Sequence, residues 1–220
     1  MHQPAAFRID DPALLHALIA DQALGTWACV SPQEGLLMNH IPFLLDLSRG
    51  AHGTLVGHVA RGNPVWKACL DAQDGSAVGA PSIVAFHGPQ AYVSPNWYPS
   101  KQQDGKAVPT WNYAVVQAHG LARAVDDRAR LLQIVSQLTQ QHEATQPQPW
   151  QVSDAPPAYI EAMLVGIVGI EIDITRLEGK WKMSQNHSAP NRAGVVAGLG
   201  ALPSDEARAV AHAVTQRGPK

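Results

Sequence analysis

The most constraining feature of this chain is a strict alternation of apolar and polar residues near its C-terminal third. The apolar residues at 168, 170, 172 and 174 alternate with Gly169, Glu171 and Asp173. Because successive side chains of a strand point to opposite faces, this period of two predicts a strand with one buried and one polar face. Other short runs rich in β-branched or aromatic residues, bounded by Gly, Pro, Asn or Asp, predict strands at 26–30, 36–45, 54–59, 82–86, 90–94 and 111–125.

Fewer helices are predicted, from capping residues followed by a period of 3.6. The first follows Asp11, and its apolar face is predicted to comprise Leu14, Leu15, Leu18 and Ile19. A second runs from Val65 to about Ala72, and a third follows Asp127 with an apolar face of Leu131, Leu132, Val135 and Leu138. Two more are expected at 158–163 and after Ser204.

The remaining segments complete the predicted architecture. Gly88 and Pro89 predict a tight connection between two strands, and the polar, proline-bearing stretch 95–109 predicts a loop. Many short strands with few helices predict a mainly β fold, a β-barrel with peripheral α-helices, rather than a doubly wound parallel sheet.

Composition limits the classes of function. The 220 residues are 45% hydrophobic and 15% charged with a net charge of -2, so no general field attracts nucleic acid or an anionic membrane. No apolar run approaches the roughly 20 residues of a membrane helix, and no signal peptide is apparent, so we expect a cytoplasmic protein without a membrane segment. Cys29 and Cys69 lack metal-type spacing and are predicted to be buried thiols.

Several familiar motifs fail on inspection. Gly198 and Gly200 resemble the start of a dinucleotide fingerprint, but Pro203 stands where its third glycine belongs. A zinc protease would need a histidine at Gln146, after the pair His142-Glu143. Gly-x-Ser-x-Gly, the motif of a serine-hydrolase elbow, does not occur. These failures argue against a dinucleotide-binding motif, a zinc protease and a serine hydrolase, and the scattered histidines give only weak support to a metal site.

Two stretches combine polar and aromatic residues more densely than a core requires. Residues 57–66 join a strand end to a helix start, where backbone amides, Arg61 and Asn63 could hold a phosphate. A turn with a surface arginine explains the same residues equally well. Residues 86–98 carry Trp97 and Tyr98, which either pack over a flat ring, the interpretation we favour, or plug the mouth of a barrel.

Two further stretches have a similar character. Trp111 and Tyr113 flank Asn112, whose amide offers donors and an acceptor to a heteroaromatic edge. A structured loop at a dimer interface is the alternative, since interfaces are enriched in aromatic residues. Residues 178–186 hold two lysines, a hydroxyl and two amides, which suit a phosphate, a ribityl chain or a ring edge. Taken alone, that span is better explained as a solvated basic loop.

In order and spacing, these stretches resemble the PaiB-like family of FMN-binding negative transcriptional regulators. The matching strings are 57–66, 88–94, 108–113 and 180–186, and the similarity runs from about residue 7 to 186. The resemblance implies an FMN-binding split β-barrel of the pyridoxamine-phosphate-oxidase type, which dimerises and binds one FMN per subunit at the interface. It implies a domain at 1–186, followed by a helical tail at 187–220 that has no close match.

The resemblance also implies which residues bind the cofactor. By analogy with the wider fold, the phosphate lies near the strand that ends at His58, and the preceding strand passes under the flavin edge. The segment 184–186 closes the site from either subunit. No catalytic residue or metal ligand is assigned, and the expected cofactor-binding residues are Asn39, His40, Gly57, His58, Arg61, Asn63, Trp111, Asn112, Lys182, Ser184 and Gln185.

Three functions stay open. In the first, the chain is an FMN-binding negative transcriptional regulator, and FMN stabilises the dimer form that a partner reads. Direct DNA binding has little support, because only Arg176, Lys180 and Lys182 form a basic cluster. The second is a flavin-dependent oxidoreductase of the pyridoxamine-phosphate-oxidase or flavin-reductase type, whose suspected donors or stacking residues are His58, Trp111 and Tyr113. The third is a barrel that has lost its flavin.

Overall fold

The structure is a computed structural model that describes residues 1–71 and 79–217. Eight strands lie within these residues: β1 (Arg8–Ile9), β2 (Leu24–Ser31), β3 (Gly35–Pro42), β4 (Leu44–Asp46), β5 (Thr54–Ala60), β6 (Ala80–Val93), β7 (Thr110–Val125) and β8 (Ile167–Lys182). The α-helices of the same residues are α1 (Pro12–Asp21), α2 (Val65–Asp71), α3 (Lys101–Asp104), α4 (Arg128–Glu143), α5 (Pro157–Val165), α6 (Ala189–Gly200) and α7 (Asp205–Gln216). The predicted helix end at Ala72 and the last three residues of the predicted tail lie outside the described residues.

The strands form one sheet in the order β3-β2-β6-β7-β8-β5-β4, and β1 pairs with β8. The pairing of β2 with β3 is antiparallel and sets Val30 opposite Leu36. The pairing of β5 with β8 is also antiparallel and sets Gly57 opposite Ile170. The predicted mainly β fold with peripheral helices is therefore confirmed.

The chain divides into two compact units. The tail unit comprises Met1–Leu18, His87–Val116 and Glu178–Lys220, and the central unit comprises Ile19–Phe86 and Gln117–Leu177. The long strands β6, β7 and β8 contribute residues to both units.

The core of the central unit forms where α4 meets the sheet. Asp127 caps this helix by accepting a hydrogen bond from the Arg130 amide, at 2.8 Å. Val56, Ile134 and Leu138 form a buried cluster. Residue 169 is a glycine where the helix approaches, because a Cβ there would lie 2.9 Å from Ile134. The helix–sheet contact thus depends on both the apolar face of α4 and a small residue on β8.

The tail unit packs its two C-terminal helices tightly. Ser204 caps α7 by accepting a hydrogen bond from the Ala207 amide at 3.2 Å, which confirms the predicted helix start. In α6, a Cβ at Gly198 would lie 2.3 Å from the Trp97 ring. Gly198 therefore lies within α6, where it permits close packing on the Trp97 indole. This position agrees with the absence of a dinucleotide fingerprint from the sequence.

Three strand predictions are wrong in detail. The predicted connection at Gly88 and Pro89 does not exist, because β6 continues through both residues. A Cβ at Gly88 would lie 2.7 Å from Leu18, so this glycine serves packing rather than a turn. The predicted strand 36–45 is interrupted at Phe43, between β3 and β4. The polar face predicted for 168–174 is largely covered, since Glu171 is buried in β8.

Two helix faces also differ from prediction. Leu14 in α1 and Leu132 in α4 are exposed, whereas Ile134, which the predicted face omitted, is fully buried. The predicted loop 95–109 contains the short helix α3.

Cys29 and Cys69 are buried free thiols, as predicted. Across the described ranges, no helix combines the length and hydrophobicity that crossing a membrane requires.

Candidate functional site

Six of the predicted site residues lie in the central unit, and we call them the strand-end cluster: Asn39, His40, Gly57, His58, Arg61 and Asn63. The turn between β5 and α2 is closed by the Asn63 amide, which donates to the Ala60 carbonyl at 2.8 Å. The Asn63 side chain then accepts from the Val65 amide at 3.0 Å and donates to the Asn39 side chain at 2.7 Å. Asn39 and Asn63, both expected to bind the cofactor, are therefore in direct contact.

Arg61 is held by partners within the central unit. Its Nε donates to the Val165 carbonyl at 2.8 Å, and its Nη2 donates to the Ile167 carbonyl at 2.9 Å. The guanidinium also forms a bidentate pair with Asp126, which raises the pKa of Arg61 and lowers that of Asp126. Its Cζ lies 6.0 Å from the centre of the Trp66 ring. Arg61 thus fastens the β5–α2 turn, and a phosphate at this position would compete with Asp126.

His58 and His40 differ in environment. His58 is half-buried, its Nδ1 has no hydrogen-bond partner among the described residues, and burial lowers its pKa. His40 is exposed, and its Nδ1 lies 3.2 Å from Thr26 Oγ1. Packing requires a glycine at position 57, since a Cβ there would lie 2.8 Å from the Pro42 carbonyl oxygen. Within this cluster, His58 offers a neutral ring nitrogen that a ligand could engage.

A groove of about 540 Å³ lies on the sheet of the central unit, and we call it the apolar groove. It is lined by residues of five strands and their ends, namely Ala28, Cys29, Val30, Leu36, Pro81, Ser82, Ile83, His119, Gly120, Leu121 and Thr175. Val30, Leu36 and Ile83 are large apolar side chains exposed to solvent. Leu36, Met38 and His40 share one face of β3 because they are two residues apart. The exposed face of the sheet is therefore a broad apolar surface with His40 on one of its strands.

The other five predicted residues lie in the tail unit, where the start of β7 and the end of β8 border a cavity of about 280 Å³. We call it the polar cavity. Its lining comprises Tyr98, Ser100, Lys106, Ala107, Val108, Thr110, Asn112, Lys182, Ser184, Asn186, His187 and Asn191. The structure thus brings Asn112, Lys182 and Ser184 together around one space.

Lys182 is the central cation of the polar cavity. Its Nζ donates to Thr110 Oγ1 and, at 3.0 Å, to the Trp111 carbonyl. Burial lowers the pKa of Lys182, and the neighbouring Lys180 lowers it further. Trp111 itself is half-exposed, and its indole nitrogen donates to the Gln90 side chain at 3.2 Å. The Trp111 backbone therefore orients Lys182, while its ring packs edge-on against Tyr92 with centroids 6.2 Å apart.

The turn after β8 is built by its own polar residues. Asn112 is buried and donates to Ser184 Oγ at 3.0 Å. Ser184 adopts a left-handed φ of 60°, which is uncommon for a residue other than glycine. Both ends of the Gln185 amide serve this turn: it accepts from the Met183 amide and donates to the Trp181 carbonyl, each at 2.6 Å. Gln185 therefore supports the turn, while Ser184 lines the cavity.

Sequence reasoning missed the contribution of the tail. The ring of His187 stacks on Tyr98, with centroids 4.8 Å apart and an angle of 21° between planes. Asn191 in α6 donates to Ser100 Oγ at 2.9 Å and accepts from the Ser100 amide at 3.2 Å. The signal that could have revealed this contribution is the polar run 184–188, which crosses the predicted start of the tail at 187.

Comparison with known proteins agrees with this architecture. A family model described as "Putative FMN-binding domain" matches residues 1–176. An uncharacterized protein of Emericella nidulans is 38% identical over 94% of this chain and 93% of its own length. "Protease synthase and sporulation protein PAI 2" of Bacillus subtilis is 27% identical over 89% of this chain and 87% of its own length. A conserved hypothetical protein of Mycobacterium tuberculosis has a similar structure, with a TM-score of 0.58 and 11% identity over 86% of this chain and 94% of that chain.

The fold is a mainly β split barrel, which confirms the predicted fold class. The chain belongs to the family described as "Putative FMN-binding domain", and its similarity to the PAI 2 protein of Bacillus subtilis confirms the resemblance. The family match supports a flavin ligand. It ends at residue 176, so the predicted site residues Lys182, Ser184 and Gln185 lie beyond it.

Proposed function

We propose that this chain binds FMN, holding the flavin ring against the apolar groove of the central unit. One observation carries the proposal: a groove of about 540 Å³ with large apolar side chains lies on the exposed sheet of a chain from an FMN-binding family. Small-molecule sites of roughly 300–1,000 Å³ with mostly apolar linings and a few polar groups are typical. When bound, the flavin would supply electron transfer, and the chain would bind and orient it.

The polar residues of the strand-end cluster have distinct tasks in the proposal. His40, on the same face of β3 as Leu36, would meet the flavin edge. His58 would offer its unpartnered nitrogen, and Asn39, on the opposite face of β3 from His40, would fix the β5–α2 turn through its contact with Asn63. Arg61 would act mainly by fastening the turn, because Asp126 already holds its guanidinium.

We further propose that a second copy of the chain covers the exposed sheet face. β3 is at the end of the strand order and carries Leu36 and Met38 outward, both exposed. An apolar edge strand is prone to pair with other chains unless it is covered. A homodimer would bury these side chains and exclude water from the flavin. Size-exclusion chromatography with light scattering tests this, and a monomer at micromolar concentration would contradict it.

The biological role that we propose is negative transcriptional regulation of the PaiB type, in the cytoplasm. The similarity to the Bacillus subtilis relative supports the role, and two buried free thiols agree with a reducing compartment. Lys182 faces a cavity and Lys180 lies 5.4 Å from the Tyr113 ring, so direct DNA contact gains little from either lysine. FMN would instead favour one form of the dimer, and a protein or DNA partner would recognise that form. A DNA shift that requires FMN would support the regulator.

A flavin-dependent oxidoreductase is a second candidate, favoured by His58. A half-buried, neutral imidazole with an unpartnered nitrogen can donate to or accept from a redox-active ring. Mixing the FMN-loaded protein with NADH or NADPH in a stopped-flow instrument separates the candidates. Rapid bleaching of the flavin absorbance that slows in His58→Phe would favour the enzyme, and an unchanged spectrum would favour the regulator.

FMN binding itself is tested by the visible spectrum of purified protein, followed by fluorescence titration with FMN, FAD and riboflavin. We expect saturable FMN binding at one site per chain and weaker FAD binding. No flavin absorbance and no uptake of any of the three flavins would overturn the proposal and leave a barrel that has lost its cofactor.

A further inference from the structure

The polar cavity of the tail unit has the electrostatic character of an anion site. Its lining includes two lysines and a histidine but no aspartate or glutamate. Burial lowers the pKa of Lys182 and the neighbouring Lys180 lowers it further, so the surroundings of this ammonium disfavour its positive charge. The pKa of His187 is lowered by burial and then by Lys182, which shows that the two groups feel each other's charge. A partly desolvated cation of this kind is stabilised by a negative ligand.

An unsatisfied donor lies at the same cavity. Tyr98 is only 4% exposed, and its hydroxyl has no hydrogen-bond partner in the part of the chain that the structure describes. Burying a hydroxyl without a partner costs free energy, so such groups call for an explanation. Burial also raises the pKa of Tyr98, which keeps the hydroxyl protonated and able to donate. A ligand that accepts hydrogen bonds would remove this cost.

The neighbouring groups are already positioned. The ammonium of Lys182 donates to Thr110 and to the Trp111 carbonyl, and an ammonium has three hydrogens, so one stays available for a ligand. Ser184 is kept in its left-handed conformation beside Asn112, with their side chains 3.0 Å apart. Backbone strain of this type persists where surrounding contacts support it and is frequent at ligand sites. The cavity is thus organised without a ligand.

We propose that the polar cavity binds a phosphate-type oxyanion, with Lys182 Nζ and Tyr98 Oη as its principal donors. The cavity of about 280 Å³ falls just below the range of drug-sized sites, which suits a small oxyanion or one group of a larger ligand. The proposal goes beyond flavin binding in the central unit, because these donors call for a negative ligand whether or not a flavin is bound. The oxyanion comes either from a free phosphate compound or from the phosphate of a flavin.

Isothermal titration of purified protein with inorganic phosphate, in a phosphate-free buffer, tests the site. We expect saturable binding that Lys182→Met weakens by roughly 10-fold or more, as for loss of a charge-assisted hydrogen bond. Tyr98→Phe keeps the ring that stacks on His187 and should weaken binding by roughly 3-fold to 10-fold. Lys101→Met is the matched control, because Lys101 donates to exposed Asn96 at 2.5 Å outside the cavity.

Parallel titrations with FMN and riboflavin identify the source of the anion. If Lys182→Met weakens FMN binding but spares riboflavin, the cavity takes the flavin phosphate. If both flavins bind as before while phosphate binding is lost, the cavity takes a free phosphate compound. The proposal is overturned if wild-type protein binds no phosphate and Lys182→Met changes neither flavin, or if Lys101→Met matches Lys182→Met. Flavin binding to wild-type protein in the same series tests the central unit separately.

Discussion

The apolar groove and the polar cavity are both built on strands, yet they offer opposite chemistry. In the groove, outward positions of β2, β3 and β6 carry Val30, Leu36 and Ile83, and the space is about 540 Å³. In the cavity, the start of β7 and the end of β8 carry Asn112 and Lys182 around about 280 Å³. The larger, flatter, apolar space suits an aromatic ring, and the smaller cationic one suits an oxyanion. One sheet can therefore serve two kinds of ligand.

Their supports also differ. The central unit relies on an ion cluster in which Arg49 and Arg130 both pair with Glu171, whose side chain is 7% exposed. The tail unit relies on close helix packing and on neutral amides such as Asn112 and Asn191. If the two regions are independent, perturbing one support should change one ligand and spare the other.

The largest expected effect comes from Glu171→Gln. Burial alone would raise the pKa of Glu171, but hydrogen bonds from Arg49 and Arg130 outweigh it and lower the pKa. Removing the carboxylate leaves two arginines facing each other, and breaking a buried pair costs about 3 kcal/mol. Urea denaturation measures the loss, and the same linkage predicts that wild-type stability falls as the pH drops below 4.5, the ordinary pKa of a glutamate.

Glu161→Gln is the control for that change. Glu161 pairs with Arg128 at 2.8 Å, but the two side chains are 55% and 44% exposed. An exposed pair contributes about 0.5 kcal/mol or less. Equal losses for the two variants would mean that burial of Glu171 does not matter to the central unit.

Leu36→Arg is expected to weaken FMN binding by about 2 kcal/mol, roughly 30-fold, because a buried leucine contributes that much against a ring. Leu36 lines the groove, and phosphate binding in the cavity should stay unchanged. Leu47→Arg provides the control, since Leu47 is equally an exposed leucine of the central unit but does not line the groove. Equal FMN affinities for the two variants would mean that the flavin does not bind at the apolar groove.

Gly198→Ala tests the cavity through its helix. A Cβ at Gly198 would meet the Trp97 ring, so we expect a loss of about 1–2 kcal/mol in unfolding free energy and weaker phosphate binding. Nothing lies within 4 Å of a Cβ at Gly200, so Gly200→Ala should be neutral or stabilising by up to about 1 kcal/mol. Thermal unfolding of both variants measures this contrast, and FMN affinity should not follow it.

The smallest effect is the pH dependence of the two histidines. Burial lowers the pKa of His58 and of His187 below 6.5, so the unfolded chain takes up protons first as the pH falls. Stability contributed by the neutral rings is therefore complete above about pH 6.5 and declines below it. His58→Gln and His187→Gln should each flatten the decline by less than about 1 kcal/mol between pH 7 and 5. Bound phosphate should reduce only the pH dependence of stability that His187 contributes. If neither substitution changes the decline of stability with falling pH, both assignments are contradicted.

Much of the fold follows from local patterns. Alternation predicted β8, and Asp127 and Ser204 correctly marked the starts of α4 and α7, because capping and periodicity act over a few residues. Gly88 and Pro89 misled the prediction, since the packing of Gly88 against Leu18 is not visible in neighbouring residues. The burial of Glu171 likewise depends on two arginines distant in sequence.

The candidate sites were only partly predictable, for a similar reason. The structure brings Asn39 into contact with Asn63 and sets Asn112, Lys182 and Ser184 around one cavity, while the cofactor role of these residues stays a prediction. Tyr98 was noted, but its stacking on His187 depends on a turn that returns the tail to the sheet. The exposure of Leu36 and Ile83 could not be predicted, because no pattern in a single sequence reveals that an apolar residue remains exposed.

Hydrogen–deuterium exchange with and without FMN tests the central claim most directly, because it reports which backbone amides a bound flavin protects. The account predicts that FMN slows exchange in Leu24–Ser31 and Gly35–Pro42, the strands β2 and β3 that border the apolar groove. Saturable FMN binding that leaves both strands unprotected, with slower exchange confined to other segments, would contradict it.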